Sequence, residues 1–336
     1  MKGAIGAADF CLLLGAAFLT GCAGGVPPRD ASWGGFAAKL LESERMQVVI
    51  LPGQGGAIVS ILDKKAGREW LWQSVELRLK VIAENPKTYL MTGGWEDMFP
   101  SVGPCEFEDA EWGKVSVPDH GELWNRPWKA KDLPDGVQLS VNGEIFPYTL
   151  ERTCRLSGRT LRLDYALTNT GSKAFPFMFA GHPVLSVQGK AQILISNGAR
   201  TVVYESQDGR LGKPGARFPW PDCVVKGEQI DASLVDAETR GKTDKLFVSD
   251  FEDAEVGLRD IDSGGRLMIR FNAQELSSIG VWTNMNAYPP ESPVSVAAIE
   301  PTTSPTENLA EAIAKKTEVR IEPGRTLRWS ISVCVE

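Results

Sequence analysis

The sequence predicts an all-β chain, one large antiparallel β-sandwich with one or two short helices, and three observations lead there. Short runs of β-branched and aromatic residues, bounded by Gly, Pro, Asp or Asn, recur along most of the chain. One of these runs alternates apolar and polar residues over a full strand length. No long helical stripe interrupts them.

The N-terminus stands apart from that pattern. Lys2 precedes an apolar stretch from Phe10 to Leu19, which ends in Leu19-Thr20-Gly21-Cys22. The stretch is too short to span a bilayer, which takes about 20 apolar residues. It reads as a bacterial export signal with a lipobox, so residues 1–22 are expected to be a lipoprotein-type leader. Cys22 is then the lipidated residue and the mature N-terminus, and the protein is expected in the periplasm or at the cell surface. Residues 23–35 are rich in Gly and Pro without apolar periodicity and read as a flexible tether. Folded sequence is expected over 36–336, as one domain with no further linker.

Strand signals follow in order at Met46–Leu51, Gly136–Val141, Arg159–Thr168, Gln192–Ile195, Glu255–Arg259, Arg266–Phe271 and Thr326–Val335. The clearest is the third. Leu161, Leu163, Tyr165 and Leu167 alternate with Arg162, Asp164, Ala166 and Thr168, the period of a half-buried antiparallel strand. One good helix candidate spans Pro305 to Lys316. Ser304 is its expected N-cap, Glu307 closes a capping box, and Lys315 and Lys316 suit its C-terminal end.

Composition narrows the partners. The chain has 336 residues, 43% of them apolar, so it has ample material for a core. Its 36 basic residues are scattered among 43 acidic ones, for a net charge of -7. No basic stripe is available to neutralise a run of phosphates, which argues against nucleic acid. A neutral small molecule fits better, and membrane contact is expected only through the anchor at Cys22. A monomer is expected. Cys105, Cys154, Cys223 and Cys334 are far apart with no CxxC pair, so no zinc site is indicated. Export would permit disulfides among them, and buried free thiols are equally compatible.

Only two histidines occur, His120 in VPDHGELW and His182 in FMFAGHPVL, each beside Gly or Pro where a strand should end. Loop ends are where a β scaffold usually carries its chemistry. The dense apolar run Phe175–Phe179 should deliver the His182 imidazole at a fixed place, where it can act as a general acid. Glu300 follows the apolar run Val294–Ile299 and precedes Pro301-Thr302-Thr303. A carboxylate at such a junction can be partly desolvated, which raises its basicity. Trp95, Trp112, Trp124, Trp128 and Trp282 lie near Gly, Pro or polar residues, and indole faces stack on the C–H faces of sugars.

An ordered set of segments then becomes recognisable: LPGQGGAIVSILDKKAGREWLWQ, GGWEDMFPSVGPC, VPDHGELW, ERTCRLSGRTLRLDYALTNTGSKAFPFMFAGHPVL, TDKLFVSD and AAIEPTTSP. Over roughly residues 46–335 the chain resembles the aldose 1-epimerase, or galactose mutarotase-like, family. The resemblance implies that family's large antiparallel sandwich and a cofactor-independent isomerase interconverting the α and β anomers of a hexose. It implies that His182 protonates the ring oxygen and that Glu300 takes the proton from the anomeric hydroxyl. By the same resemblance His120 hydrogen-bonds the sugar near the ring oxygen, and Asp244 fixes sugar hydroxyls. The family's arginine-bearing motif upstream of the first histidine is missing. GGWEDMFP stands there instead, so Glu96 and Asp97 are expected to supply polar contacts, with Trp124 as a further substrate-binding residue.

Mutarotation moves only protons, so the chemistry implied needs no metal, nucleotide or covalent intermediate. Two rivals remain open at this stage: a non-catalytic carbohydrate-binding protein of the cell surface, and a glycoside hydrolase pairing Asp119 or Glu122 with Glu300.

Overall fold

The computed structural model describes residues 25–84, 89–252 and 254–336. The expected leader and the lipidation site Cys22 lie outside the described residues. Among the described residues, two large antiparallel sheets dominate, one of twelve strands and one of nine. Their facing sides share one apolar core, to which the first sheet contributes Ile50, Trp95, Val281 and Ile299 and the second Leu150, Leu163, Ile269 and Ile331.

Strand grammar explains why these segments form sheets. Along Tyr148–Ser157 every second residue is buried, so one side chain in two enters the sandwich and the other meets water. The neighbouring strand Thr160–Asn169 buries Leu161, Leu163, Tyr165 and Leu167 and leaves Arg162 exposed, as its alternation predicts. It pairs on one side with Tyr148–Ser157 and on the other with Thr326–Val335.

The twelve-stranded sheet holds the central run that matters for function. Its neighbouring strands are, in spatial order, Ala57–Asp63, Trp95–Met98, Ala180–Ser186, Ser295–Thr302, Ser278–Met285, Lys242–Ser249 and Arg200–Ser206. Several of these are buried on both faces, which is why they read as continuous apolar runs.

The structure corrects two expectations about element boundaries. The tether expected over 23–35 is partly strand: Arg29–Trp33 pairs with Phe36–Glu42 through a turn at Gly34 and Gly35, both at positive φ. The outer strand of this hairpin, Arg29–Trp33, is short and mostly polar, with Lys39 on its partner bridging Asp30 and Asp132. This outer strand therefore lacks the apolar signal that marks inner strands. The C-terminal helix, here α2, runs Leu309–Lys315 rather than from Pro305. Asn308 is its N-cap, accepting from the Glu311 N–H at 2.9 Å. Ser304 is instead buried and shares hydroxyl hydrogen bonds with Thr306 and Thr317. A second helix, α1, spans Val75–Glu84 and buries Arg78. Ser74 Oγ accepts from the Leu77 N–H at its start.

Among the described residues the four cysteines, Cys105, Cys154, Cys223 and Cys334, are free thiols.

Candidate active site

A cleft of about 230 Å³ opens over the middle of the twelve-stranded sheet. Its floor follows from register. Gly280 lies opposite Glu300, and Trp282 lies opposite Lys245. Directly opposed residues of an antiparallel pair project to the same face. The pairs Ala180–Thr302 and Val184–Ala298 bracket His182 and Glu300, bringing these two to the same level on adjacent strands. His182 Nε2 stands 3.7 Å from Glu300 Oε1.

Gly280 makes room for that arrangement. A Cβ there would meet Glu300 Oε2 at 2.6 Å, closer than real Cβ contacts come. The glycine therefore lets the carboxylate lie across the neighbouring strand.

Lys245 holds this carboxylate. Its Nζ donates to Glu300 Oε1 at 2.9 Å and to Oε2 at 2.8 Å, and Glu307 Oε2 lies 3.7 Å from it. Glu307 thus lines the cleft instead of closing a capping box.

Burial and charge act in opposition here. Burial alone would raise the Glu300 carboxyl, but Lys245, helped by His182, outweighs it and holds the group below the usual glutamate value. Burial would lower Lys245, yet Glu300 and Glu307 keep its ammonium above the ordinary lysine value. Glu307 goes the other way. Burial, reinforced by the charge of Glu300, raises its carboxyl against the pull of Lys245. Burial also pulls His182 down to about 3, with His120 and Lys245 adding to the effect and Glu300 opposing it. The imidazole is neutral at neutral pH, and its Nδ1 is buried without a hydrogen-bond partner among the described residues.

His120 enters from the loop after Gly113–Val117. It adopts a left-handed conformation, φ 60°, uncommon for a residue with a side chain, and its N–H donates to Val102 O at 2.8 Å. Its ring stacks on Tyr89, meets His182 edge-on at 5.3 Å between centroids, and pairs through Nδ1 with Asp119 at 3.1 Å. A fixed, strained placement at a cleft is a common property of functional side chains.

The remaining residues singled out from sequence divide. Asp244 lines the cleft wall beside Lys245, and its carboxylate accepts from Ser206 Oγ at 2.5 Å and from Arg210 Nε at 3.0 Å. Glu96 lies opposite His182 in register and so projects to the same face, but it is held by Thr92 Oγ1 at 2.6 Å and Arg78 at 3.4 Å and is absent from the cleft lining. Asp97 alternates to the other face and sits inside the sandwich, where Arg152 and the Tyr165 hydroxyl donate to it at 2.7 and 2.9 Å. Trp124 is buried and reaches the site only through its edge contact with Tyr89. Of the five tryptophans considered, Trp282 alone lines the cleft.

Glu122, weighed earlier as a partner carboxylate, is occupied by the Tyr148 hydroxyl and the backbone N–H groups of Glu144 and Ile145. Lys245, Glu307 and Gly280 were not apparent from sequence. Their importance lies in cross-strand and long-range neighbours, and only the position of Lys245 next to Asp244 gave a hint. Among the described residues no three His, Cys, Asp or Glu side chains are grouped to hold a metal ion.

The comparisons with known proteins agree with this fold. The family model described as aldose 1-epimerase matches residues 109–334. The fold is similar to that of the Slr1438 protein from Synechocystis, with a TM-score of 0.67 at 17% identity over 93% of this chain and 97% of that one. It is similar to a galactose mutarotase-like protein from Clostridium acetobutylicum, with a TM-score of 0.65 at 14% identity over 93% and 99%. A galactose mutarotase related enzyme from Lactobacillus acidophilus gives a TM-score of 0.63 at 15% identity over 89% and 97%. No curated protein matches the chain.

Proposed function

Since the chain belongs to the aldose 1-epimerase family, we propose that it is an isomerase that interconverts the α and β anomers of an aldose by proton transfer at its ring. The observation that carries this reading is the pairing of His182 and Glu300, 3.7 Å apart on adjacent strands at the floor of one cleft. Ring opening requires the C1 hydroxyl to lose a proton while the ring oxygen gains one. Closure on the other face of C1 reverses both steps.

Glu300 is the base of this reading. Lys245 keeps it ionised, and its place on an inner strand fixes its direction. His182 and His120 face the same space and offer nitrogens for the ring oxygen and the neighbouring hydroxyl. His182, 3.7 Å from Glu300, is the acid of this reading, passing a proton to the ring oxygen. Asp244 and Trp282 supply a polar wall and an apolar ring face, the two surfaces a sugar presents.

The test is anomer exchange. Freshly dissolved α-glucose and α-galactose, followed by polarimetry or NMR exchange spectroscopy, should equilibrate faster with the purified protein than without it. Binding of sugar with no acceleration would instead identify a carbohydrate-binding protein. Release of reducing sugar from a glycoside would identify a hydrolase.

A further inference from the structure

We propose that Glu96 is the positioning residue of His182, its free carboxylate oxygen taking the Nδ1–H of the imidazole so that Nε2 is left to give and retake the proton of the ring oxygen. The consequence for the reaction rests on the anomer-exchange reading; the contact itself rests on the geometry of two adjacent strands.

Register comes first. His182 stands between two carboxylates, with Glu96 opposite it on Trp95–Met98 and Glu300 level with it on Ser295–Thr302. All three therefore project to one face, and opposed residues of this kind have Cβ atoms about 4.5–5.5 Å apart, within reach of a glutamate side chain. The two nitrogens of an imidazole lie on opposite edges of the ring. With Nε2 turned to Glu300 Oε1 at 3.7 Å, Nδ1 is turned to the side of the Trp95–Met98 strand. Glu96 is absent from the cleft lining, so it reaches a sugar only through His182.

Hydrogen-bond accounting comes second. Thr92 Oγ1 at 2.6 Å and Arg78 at 3.4 Å both donate to Oε1 of Glu96, and Arg78 also donates to Gly93 O. Glu96 Oε2, His182 Nδ1 and the Tyr89 hydroxyl are buried, and none has a hydrogen-bond partner among the described residues. They are an acceptor and two groups able to donate, and they belong to one cluster: the Tyr89 ring stacks on His120, which meets His182 edge-on. Burial, then the charge of Glu96, raises the Tyr89 phenol, so it keeps its proton beside that carboxylate. One carboxylate oxygen can accept two hydrogen bonds. Buried polar atoms are rarely left unpaired, and the terminal torsion of a glutamate is soft enough to turn Oε2 onto both donors.

Charge comes third. His182 faces Glu96 with its counter-ion Arg78 on one side, Glu300 and Lys245 on the other, and His120, Asp119 and Tyr89 at the cleft wall. Burial, His120 and Lys245 disfavour the imidazolium, while Glu300 and Asp119 favour it. Glu96 adds a carboxylate at the remaining edge of the ring. The Nδ1 proton stays with Glu96 throughout. The proton given to O5 leaves from Nε2 as the C1–O5 bond breaks and Glu300 takes the O1 proton, and both return on closure. Between these steps the neutral ring needs a bare Nε2, which is the tautomer that a carboxylate at Nδ1 selects.

The experiment is nitrogen-15 NMR of the imidazole rings in the full chain, with His182 identified by the loss of its signals in His182→Asn. In the wild type Nδ1 should give the signal of a protonated ring nitrogen. Glu96→Gln reverses the contact. Arg78 can only donate, so the amide oxygen takes the place of Oε1 and the amide NH2 is left facing Nδ1. In this variant the ring proton should move from Nδ1 to Nε2, and kcat for anomer exchange of α-galactose should fall about 100-fold with KM little changed. Thr92→Val, which keeps the carboxylate, should retain the protonated Nδ1 and most of the rate. A bare Nδ1 in the wild type, or an Nδ1 protonated alike in wild type and Glu96→Gln, overturns the assignment while leaving Glu300 and His182 in their roles. The ring spectra are read without turnover. Wild-type protein that accelerates no anomer exchange therefore overturns the functional reading alone, and the spectra still decide for or against the contact.

Discussion

Lys245 Nζ bonds both carboxylate oxygens of Glu300, at 2.9 and 2.8 Å, so this cleft carboxylate and its counter-ion form one buried unit. The lysine side chain is 11% exposed and the glutamate 1%. A charge at that depth is tolerable only with a partner, and each of these two exists in ionised form because of the other.

Lys245→Met should therefore damage both stability and activity. Breaking one side of a buried pair leaves an unpaired charge, typically costing about 3–5 kcal/mol. In the wild type Glu300 titrates below its unfolded value, so its contribution to stability is present above that value and is lost as the pH falls through the folded one. Without Lys245 burial dominates and raises the carboxyl, reversing the sign, so the variant should gain stability on mild acidification. Denaturant unfolding between pH 4 and 8, with the acid limb of anomer exchange moving to higher pH, checks both claims.

His182 has its own pH signature. Its folded value is about 3 against 6.5 unfolded, so between these limits the unfolded chain binds the extra proton. The stability contributed by this residue is complete above pH 6.5 and declines as the pH falls towards 3, by up to about 1.4 kcal/mol per pH unit. His182→Asn should flatten that slope. The comparison of wild type and variant by urea unfolding at pH 7 and pH 5 measures it. An unchanged slope would mean that the imidazole is solvated and charged.

Much of the scaffold was legible because its strands announce themselves locally. Met46–Leu51, Arg266–Phe271 and Thr326–Val335 have the bounds the sequence indicates, since apolar runs end at turn residues there. His182, Glu300, His120 and Asp244 were legible through their ordered motifs, and all four line one cleft. What escaped depends on register and distant neighbours. Asp97 and Glu96 are adjacent in sequence, but strand alternation sends Asp97 into the core against Arg152 and leaves Glu96 beside His182, taken up by Thr92 and Arg78. Glu307 fits a helix-capping pattern after Ser304, and only the capture of the cap by Asn308 frees it for the cleft.

Asp244→Asn should act mainly through binding. The carboxylate accepts from Ser206, Arg210 and, at 3.4 Å, Thr283, which fixes it on the cleft wall. An amide nitrogen in place of one oxygen would face the Arg210 guanidinium and disturb that wall. Loss of one charge-assisted hydrogen bond should raise KM about tenfold to a hundredfold with a smaller change in kcat. Initial rates across sugar concentration separate the two.

Cys22→Ser tests the export reading, which rests on Leu19-Thr20-Gly21-Cys22 after the apolar run. The wild-type protein should partition with membranes and the variant should not, as followed by fractionation and immunoblot. A wild type found in the soluble cytoplasmic fraction would refute the anchor.

Gly280→Ala asks whether the space beside Glu300 is a functional requirement. The added methyl would lie 2.6 Å from Oε2 and 3.2 Å from Cδ, and the carboxylate is held in place by Lys245, so something must shift. Overpacking of this kind costs about 1–3 kcal/mol, small enough for the sandwich to survive. Displacing a catalytic group by ~1 Å costs on the order of 100-fold in rate, so kcat should fall far more than stability. The control is the same substitution in a Glu300→Gln background. If Gly280 acts by letting the ionised base lie across its neighbour, the two losses will not add, and Gly280→Ala will lower the residual rate little further. Fully additive losses would instead place the effect of Gly280 elsewhere in the cleft and separate it from Glu300.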